Sequence, residues 1–555
     1  MSLAGPSGLC GLRIAMSATK PRIRVAAGSR PMAAASRSAH QSADLGAQAV
    51  AGWVPPLLSP DAEWLYERDL SVARIRDLVR NDGWAQAAVD RMVDMTVGAT
   101  FRLSAKPDAA SLGISQAEAD ALALRIEARW RKYANDPTFR ADAERALPVV
   151  GLFGLAAREL VATGEACAVL RWLPKAGWPF ATALQMVDAD RLSNPHGAPD
   201  DETIRGGVEC DANGAAVAYH FRDGHPSDWF ASAKSQAWTR IERFERLGDW
   251  ERPKVLHLFE KRRPGQRRGV SRLTAALVKQ RLLAKYSEAE VKAAALNGSI
   301  VGAIYTQMGS EYAAEALGST DGQQDWGAFN AARTDFYGER RLMDEARFVT
   351  MFPSDRLDLN STPRQVSGYP AFQKAFLQGF AASLGISYEQ LSMDWTSTNY
   401  SSARAALNET WRTIQRLRAV IVWGFVHPFY AAWLEDAIDT GEVELPAGAP
   451  DFYDEPAAYA QAEWVGPGRG YVDPVKEAQA AILRIRGRIS TYEREAAEQG
   501  GDWMLNLQQA AREEAAFRDA NVALPDDTVA APSAPARETT DADQDEDDSK
   551  QREAA

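Results

Sequence analysis

The chain has 555 residues, 46% of them apolar and 25% charged, with a formal charge of −12. That length exceeds one ordinary domain and supports a large core, and the composition is that of a globular protein. An acidic balance of this size argues against a protein that coats duplex DNA, which needs a basic face to neutralise phosphates.

The charge is unevenly spread. Residues 1–50 carry six bases against the single acid Asp44, whereas 525–555 carry ten acids against three bases. Both ends read as disordered tails, a basic arm over 1–55 and an acidic one over 525–555, since like-charge runs repel themselves and build no core. Cys10, Cys167 and Cys210 lie far apart without a CxxC pair, which argues against a disulfide framework or a zinc site. The most apolar segment, 419–434, is 16 residues long and holds His427 and Pro428, too short to span a membrane.

From residue 61 the pattern turns helical. Leu70, Ala73, Leu78, Val89, Met92 and Val93 recur at helical intervals, with a break at Asn81-Asp82-Gly83, and another helix is expected over 115–134. Residues 140–260 read as mixed: a helix, a turn at Gly164, then alternating segments such as "AAVAYHFRDG" and "PKVLHLFEKR" that predict strands. A long helix is expected over 272–297, a strand in "GSIVGAIYT", another in "RFVTMFP" near 347 with a helical piece between them, and an apolar helix ending at Gly385.

After the polar stretch "DWTSTNYSS", Leu407, Trp411, Ile414, Leu417, Ile421 and Phe425 mark a helix from about 402 to 439, with Gly424 and Pro428 predicting a kink. Asp473 is a natural N-cap and Pro474 fits the first helical position. Ser490-Thr491-Tyr492-Glu493 reads as a capping box, Gly500-Gly501 as a helix end, and Asp502 as the cap of a last helix. The fold class is therefore α+β, mainly helical.

Chemistry is harder to find. Gly466, Pro467, Gly468 and Gly470 form a glycine-rich run, but Tyr471 breaks the dinucleotide pattern and no convincing strand precedes it. A rigid structural turn through Asp473 and Pro474 is the expected role. His220 and His225 flank Asp223 in "HFRDGH", read as an exposed turn rather than a metal site. The basic run "EKRRPGQRRG" at 260–269 reads as a surface loop that either contacts nucleic acid or is merely solvated. Neither a phosphate loop nor a paired-carboxylate motif stands out, so no catalytic residue, cofactor or metal is expected, and a structural or assembly protein is favoured over an enzyme.

Four stretches carry a resemblance: "ARIRDLVRNDGWAQAAVDRMVDMTVGATFRLS" (73–104), "FEKRRPGQRRGVSRLTAAL" (259–277), "GISYEQLSMDWTSTNYSSARAALNETWR" (385–412) and "WVGPGRGYVDPVKEAQAA" (464–481). In this order they resemble the portal proteins of lambda-type tailed bacteriophages. The resemblance implies a ring of about twelve copies at one capsid vertex, a closed cyclic assembly. Double-stranded DNA would be packaged and ejected through its channel.

It further implies a wing over 56–271, a stem helix over 272–298, a clip over 299–353 and a second stem helix over 354–384. A tunnel loop over 385–401, a long wing helix over 402–440 and crown helices over 441–524 would follow. Asp394, Trp395, Thr396, Ser397, Thr398 and Asn399 would then face the channel, with Asp394 and nearby stem acids keeping DNA centred. Terminase large subunit, head-completion or connector proteins, and the major capsid and scaffold proteins are the implied partners. The virion, preceded by the host cytoplasm during assembly, is the implied location, with no membrane. A nucleic-acid-binding scaffold without a channel is the alternative.

Overall fold

The computed structural model describes residues 40–299 (except 45, 46, 51, 229, 231, 232 and 249), 303–304, 331, 335, 349–350 and 368–522 (except 397, 471 and 472). The acidic tail, most of the basic arm and most of the expected clip lie outside these residues, as does Ser397. The chain divides into two units, Met1–Leu58 and Ser59–Ala555. In the first, the described residues include one short 3-10 turn, Gln41–Ala43.

The second unit opens with α1 (Pro60–Asn81) and α2 (Gly83–Thr96). Asp82 ends one helix and caps the next, its carboxylate accepting from the backbone N–H of Trp84 and Ala85. Next come β1 (Arg102–Ala105), α3 (Gln116–Ala134), α4 (Val149–Ala162), β2 (Glu165–Trp172) and β3 (Thr182–Val187). Short strands follow: β4 (Ile204–Arg205), β5 (Val208–Cys210), β6 (Ala216–Arg222), β7 (Trp238–Glu242), β8 (Phe244–Leu247), β9 (Trp250–Pro253) and β10 (Val255–Phe259). They form a three-stranded antiparallel sheet ordered β10-β2-β3, a four-stranded sheet β4-β5-β6-β7 and the hairpin β8-β9.

The expected helix from 272 starts as a 3-10 turn, Arg272–Ala275, before α5 (Leu277–Ser299). Of the strands expected in "GSIVGAIYT" and "RFVTMFP", the described residues β11 (Ala303–Ile304) and β12 (Val349–Thr350) pair in parallel. Then come α6 (Tyr369–Leu384), α7 (Tyr388–Ser392) and α8 (Tyr400–Ile421). A π turn, Val422–Val426, joins α8 to α9 (His427–Asp439). The kink thus takes the form of a widened turn just before Pro428, which supplies no N–H to the ladder. The continuous helix Ser401–Asp439 is long and apolar enough to cross a membrane, but 61% of its most apolar window is buried inside the protein.

The C-terminal part holds α10 (Pro456–Tyr459), β13 (Ala462–Val465), α11 (Pro474–Arg486), α12 (Tyr492–Glu498) and α13 (Trp503–Asp519). β13 pairs antiparallel with β1, Arg102 facing Val465 and Ala105 facing Ala462. A strand therefore does precede the glycine-rich run. The expected capping box is also shifted. Thr491, not Ser490, is the N-cap, accepting from Arg494, so Glu493 falls one position short of closing the box and instead pairs with Lys106.

One core joins α2, α3, α4, α8 and α9. At its centre Trp130 packs edge-on against Tyr430, Trp433 and Trp464, and Phe153 against Phe425 and Phe429. Such aromatic contacts add to the burial that dominates the stability of a core. A smaller cluster of Cys167, Val169, Val187, Tyr219, Phe221 and Val255 lies between the two larger sheets.

Candidate functional site

Met393, Asp394, Trp395, Thr396, Thr398 and Asn399 lie between α7 and α8, with Asp394 and Thr398 half-buried and the others exposed. Gly385 ends α6 with φ +76, and a Cβ there would lie 2.8 Å from Thr413 on α8, so close approach and backbone both require glycine. Ser387 and Gln390 cap α7 reciprocally, and Gln390 Oε1 accepts from Thr410 Oγ1 at 2.6 Å in a buried contact. This fixes α7 to α8.

Met393 then turns the chain in the left-handed region, φ +58. Asp394 Oδ1 accepts from Thr396 Oγ1 at 2.6 Å and from its N–H at 3.1 Å, and Thr398 N–H donates to the Trp395 carbonyl. The Thr396 hydroxyl first, then its N–H, holds the Asp394 carboxyl below its ordinary range, so it is ionised at neutral pH. Asn399 caps α8 by accepting from the Ser402 N–H at 2.9 Å. The described members of the expected set thus make one self-bonded turn.

The second expected element lies at the other end of α8, roughly 28 Å along the helix from Asn399. There Arg418 donates to the carbonyls of Met95 and Thr96 at the end of α2, and to Pro467 O at 2.8 Å. Its guanidinium stacks over Trp411, and burial pushes it down to about 10. A cation against the carbonyl end of a helix is favourable.

The glycines match this packing. A Cβ at Gly466 would lie 2.8 Å from the Arg418 guanidinium, and one at Gly468 would lie 2.7 Å from the Gln499 backbone. Pro467 sits where a Cβ on Gly98, φ +59, would stand. Gly470 has φ +77, Arg469 pairs with Glu477 at 3.2 Å, and Asp473 caps α11 ahead of Pro474 by accepting from Lys476 N–H. At Gly466, Pro467 and Gly468 the space a phosphate would need is filled by protein.

The basic run at 260–269 is a surface loop only over 261–265; its second half turns into the protein. Arg268 is 2% exposed and reaches inward. Its Nη2 lies 2.6 Å from Glu165 Oε1, and it donates to the carbonyls of Ala189, Leu192 and Gly206. Glu165, fully buried at the start of β2, also accepts from Arg68 Nε, His257 Nε2 and Gly269 N–H. Burial raises its carboxyl, but Arg268 and then Arg68 override that and hold it well below the usual range. Burial keeps His257 below its own ordinary value, hence neutral.

Of the remaining bases, Arg263 pairs with Glu63, Arg262 with Glu260 and Arg267 with Asp61. Most of the acids that pair with these arginines, Glu63, Asp61 and Glu165, are distant in sequence, which is why the run reads as a basic patch.

His220 is likewise inside a strand rather than in a turn, 7% exposed and 3.0 Å from Glu209. Asp188, Asp190 and His225 bring ligand atoms within 4.8 Å of one another, but Arg76 is bonded to both carboxylates and Arg68 to Asp190. The cluster is an ion-pair network.

The model of the family "Phage portal protein, lambda family" matches residues 47–418. The portal protein of Escherichia phage N15 is 32% identical over 507 residues, covering 89% of this chain and 93% of that protein. Portal protein B of Escherichia phage lambda is 32% identical over 502 residues, covering 88% and 91%. Among solved structures, a chain from the neck of an empty gene transfer agent particle is 16% identical with a TM-score of 0.41, covering 81% of this chain and 96% of that one; that likeness is too distant to bear on function.

This chain belongs to the lambda family of phage portal proteins. It is a portal protein, a structural component of the virion at the portal vertex.

Proposed function

We propose that copies of this chain close into a ring of about twelve around a channel, a cyclic assembly with one repeated contact. Double-stranded DNA is driven in through that channel during packaging and leaves by it on ejection. Residues 56–271 form the wing, 272–298 and 354–384 the stem, 299–353 the clip and 441–524 the crown. Terminase docks on the clip and head-completion proteins later replace it, with capsid and scaffold proteins around the wing, after assembly in the host cytoplasm.

The observation that carries this reading is the loop 393–399. Its described residues are part-exposed to exposed, bonded to one another and set between α7 and α8, and they present an ionised carboxylate with Thr396, Thr398 and Asn399 alongside Met393 and Trp395. A wall that DNA must slide past needs such a surface, because strong phosphate pairing would hold the duplex in place. The flanking helices add a refinement. α5 and α6 carry Lys279, Arg281, Lys285, Lys292 and Lys374 against Glu288 and Glu290, so acids do not dominate there and the repelling role falls on Asp394.

Asp394→Lys tests this. The amount of nuclease-protected DNA per particle is expected to fall several-fold while ring assembly is unchanged. Packaging equal to that of the unmodified protein contradicts the placement of the loop at the channel.

A further inference from the structure

One carboxylate is shared by more cations than it can neutralise. Glu260, just past β10, meets three guanidinium groups from separate segments: Arg262 of the following loop, Arg272 of the 3-10 turn before α5, and Arg416 of α8. Arg416 Nη1 donates to its Oε1 at 2.8 Å, Arg272 donates through Nε and Nη2 at 3.2 Å each, and Arg262 lies 3.6 Å away. Among the described residues none of the three arginines has a second acid in reach, and exposed Lys261 has no ion pair. The other charges along these segments cancel, Arg263 against Glu63 and Arg412 against Glu409. At Glu165, by contrast, Arg68 also reaches Asp69 and Asp190.

The surplus is built in. Gln266, 6% exposed, accepts from the backbone N–H of Arg262 and Arg263 and donates to the Arg268 carbonyl, which sets the path of the loop. Ser271 holds the next turn by accepting from Leu273 N–H and donating to the Val161 carbonyl. Burial, and after it Arg416 and Arg262, keep the Arg272 guanidinium below its ordinary range despite Glu260, so the three cations repel one another. The Arg416 and Arg262 side chains are 62% and 40% exposed, and a guanidinium carries five N–H donors, so both have donors left for another acceptor.

We propose that the acidic segment 541–548 of this same chain occupies the cluster, its carboxylates accepting from Arg262 and Arg416 and pairing with Lys261. That segment, DADQDEDD, holds six acids and no base, and alanine is its one apolar residue, so ion pairs rather than an apolar groove hold it. Arginine clusters take carboxylates by charge-assisted, often bidentate hydrogen bonds. The described residues end at Val522, which allows an extended reach of about 65 Å to residue 541. A compact domain of this size has a radius of gyration of about 23 Å. DNA phosphates suit the same donors, so the segment keeps duplex off an exposed cationic site. That consequence, not the contact itself, rests on the channel reading.

The test uses full-length protein and a carbodiimide, which joins a lysine amine to a carboxylate in contact with it, with products read by mass spectrometry. Lys261 is expected to be joined to the 541–548 peptide at low salt. Combining Arg262→Gln and Arg416→Gln is expected to cut that product about tenfold. Circular dichroism of this variant should match the unmodified chain, since Glu260 keeps its bonds to Arg272. Absence of a Lys261 product, or one that the arginine changes leave intact, overturns the inference.

A short duplex with a fluorescent label gives the second readout, by anisotropy at low salt. Asp541→Asn, Asp543→Asn, Asp545→Asn, Glu546→Gln, Asp547→Asn and Asp548→Asn are combined in the full-length chain. This variant is expected to bind duplex about tenfold more tightly, and to lose the gain when Arg262→Gln and Arg416→Gln are added. Equal binding by the unmodified and acid-neutralised chains, or a gain that survives the arginine changes, means that the segment does not cover the cluster and overturns the inference. Neither readout needs a ring, so failure here leaves the channel reading intact.

Discussion

Glu165 and Asp394 are both carboxylates held below their ordinary range, for opposite reasons. Glu165 has no contact with water, and burial would neutralise it if Arg268 and Arg68 did not outweigh that cost. Asp394 stands in a solvent-facing loop and is kept ionised by hydrogen bonds from one threonine. The first charge is spent inside the protein, tying α1, β2, β10 and the 260–271 segment into one knot. The second is left outward and available. The charge that holds the fold is surrounded by partners far away in sequence, whereas the charge proposed to face DNA is supported by its immediate neighbours.

The sharpest way to break the contrast is Glu165→Ala. It leaves two guanidinium groups and an imidazole in a dry site, and removing one member of a buried pair costs about 3–5 kcal/mol. Thermal unfolding is expected to shift down accordingly; a shift within error means the knot is not what ties these elements.

Acid should have the next largest effect, with its sign set by proton uptake on unfolding. His257 is held below its ordinary value, so the unfolded chain takes a proton first as pH drops below about 6.5. The Glu165 contribution is complete above the unfolded value of about 4.3 and is lost as pH falls towards its depressed folded value. Both run the same way, so stability declines on acidification. In Glu165→Gln the decline below pH 5 is expected to flatten.

Arg418→Leu removes the donor that serves Met95, Thr96 and Pro467 and is expected to cost about 1–3 kcal/mol in denaturant unfolding, from carbonyls left buried without partners. Asn399→Ala removes the cap of α8 for about 1 kcal/mol. Asp394→Asn should leave the melting temperature unchanged while altering packaging. Equal effects on both would erase the distinction between the two carboxylates.

Much of the helical framework was legible because its signals are local. The break at Asp82, the left-handed end at Gly385 and the caps at Asp473 and Asp502 each depend on a few consecutive residues, and each stands where the pattern places it. The kink before Pro428 was legible as a location but not as a π turn; Gly424 inside that turn stands where a Cβ would lie 2.8 Å from Leu258, a contact distant in sequence. Ser490 and Thr491 are equivalent as text, and only the helix start decides between them.

Long-range pairing was not legible. β1 and β13 are four-residue strands from opposite ends of the chain whose sequences, RLSA and AEWV, alternate too briefly to announce a sheet. Arg268 was hidden by its basic neighbours, because nothing in the run 260–269 reveals that Glu165 lies against it. At the loop, residue types and caps were readable, while its position relative to a channel depends on other copies of the chain.

That position is the most direct test of the account. Purified protein, or protein co-expressed with its capsid and scaffold, should be imaged by electron microscopy to a resolution that traces α8. The account predicts a closed ring of about twelve copies, with a central channel wide enough for a DNA duplex and residues 393–399 of every copy at its wall. A ring with that loop on its outer surface, or a protein that remains monomeric in both preparations, would contradict it.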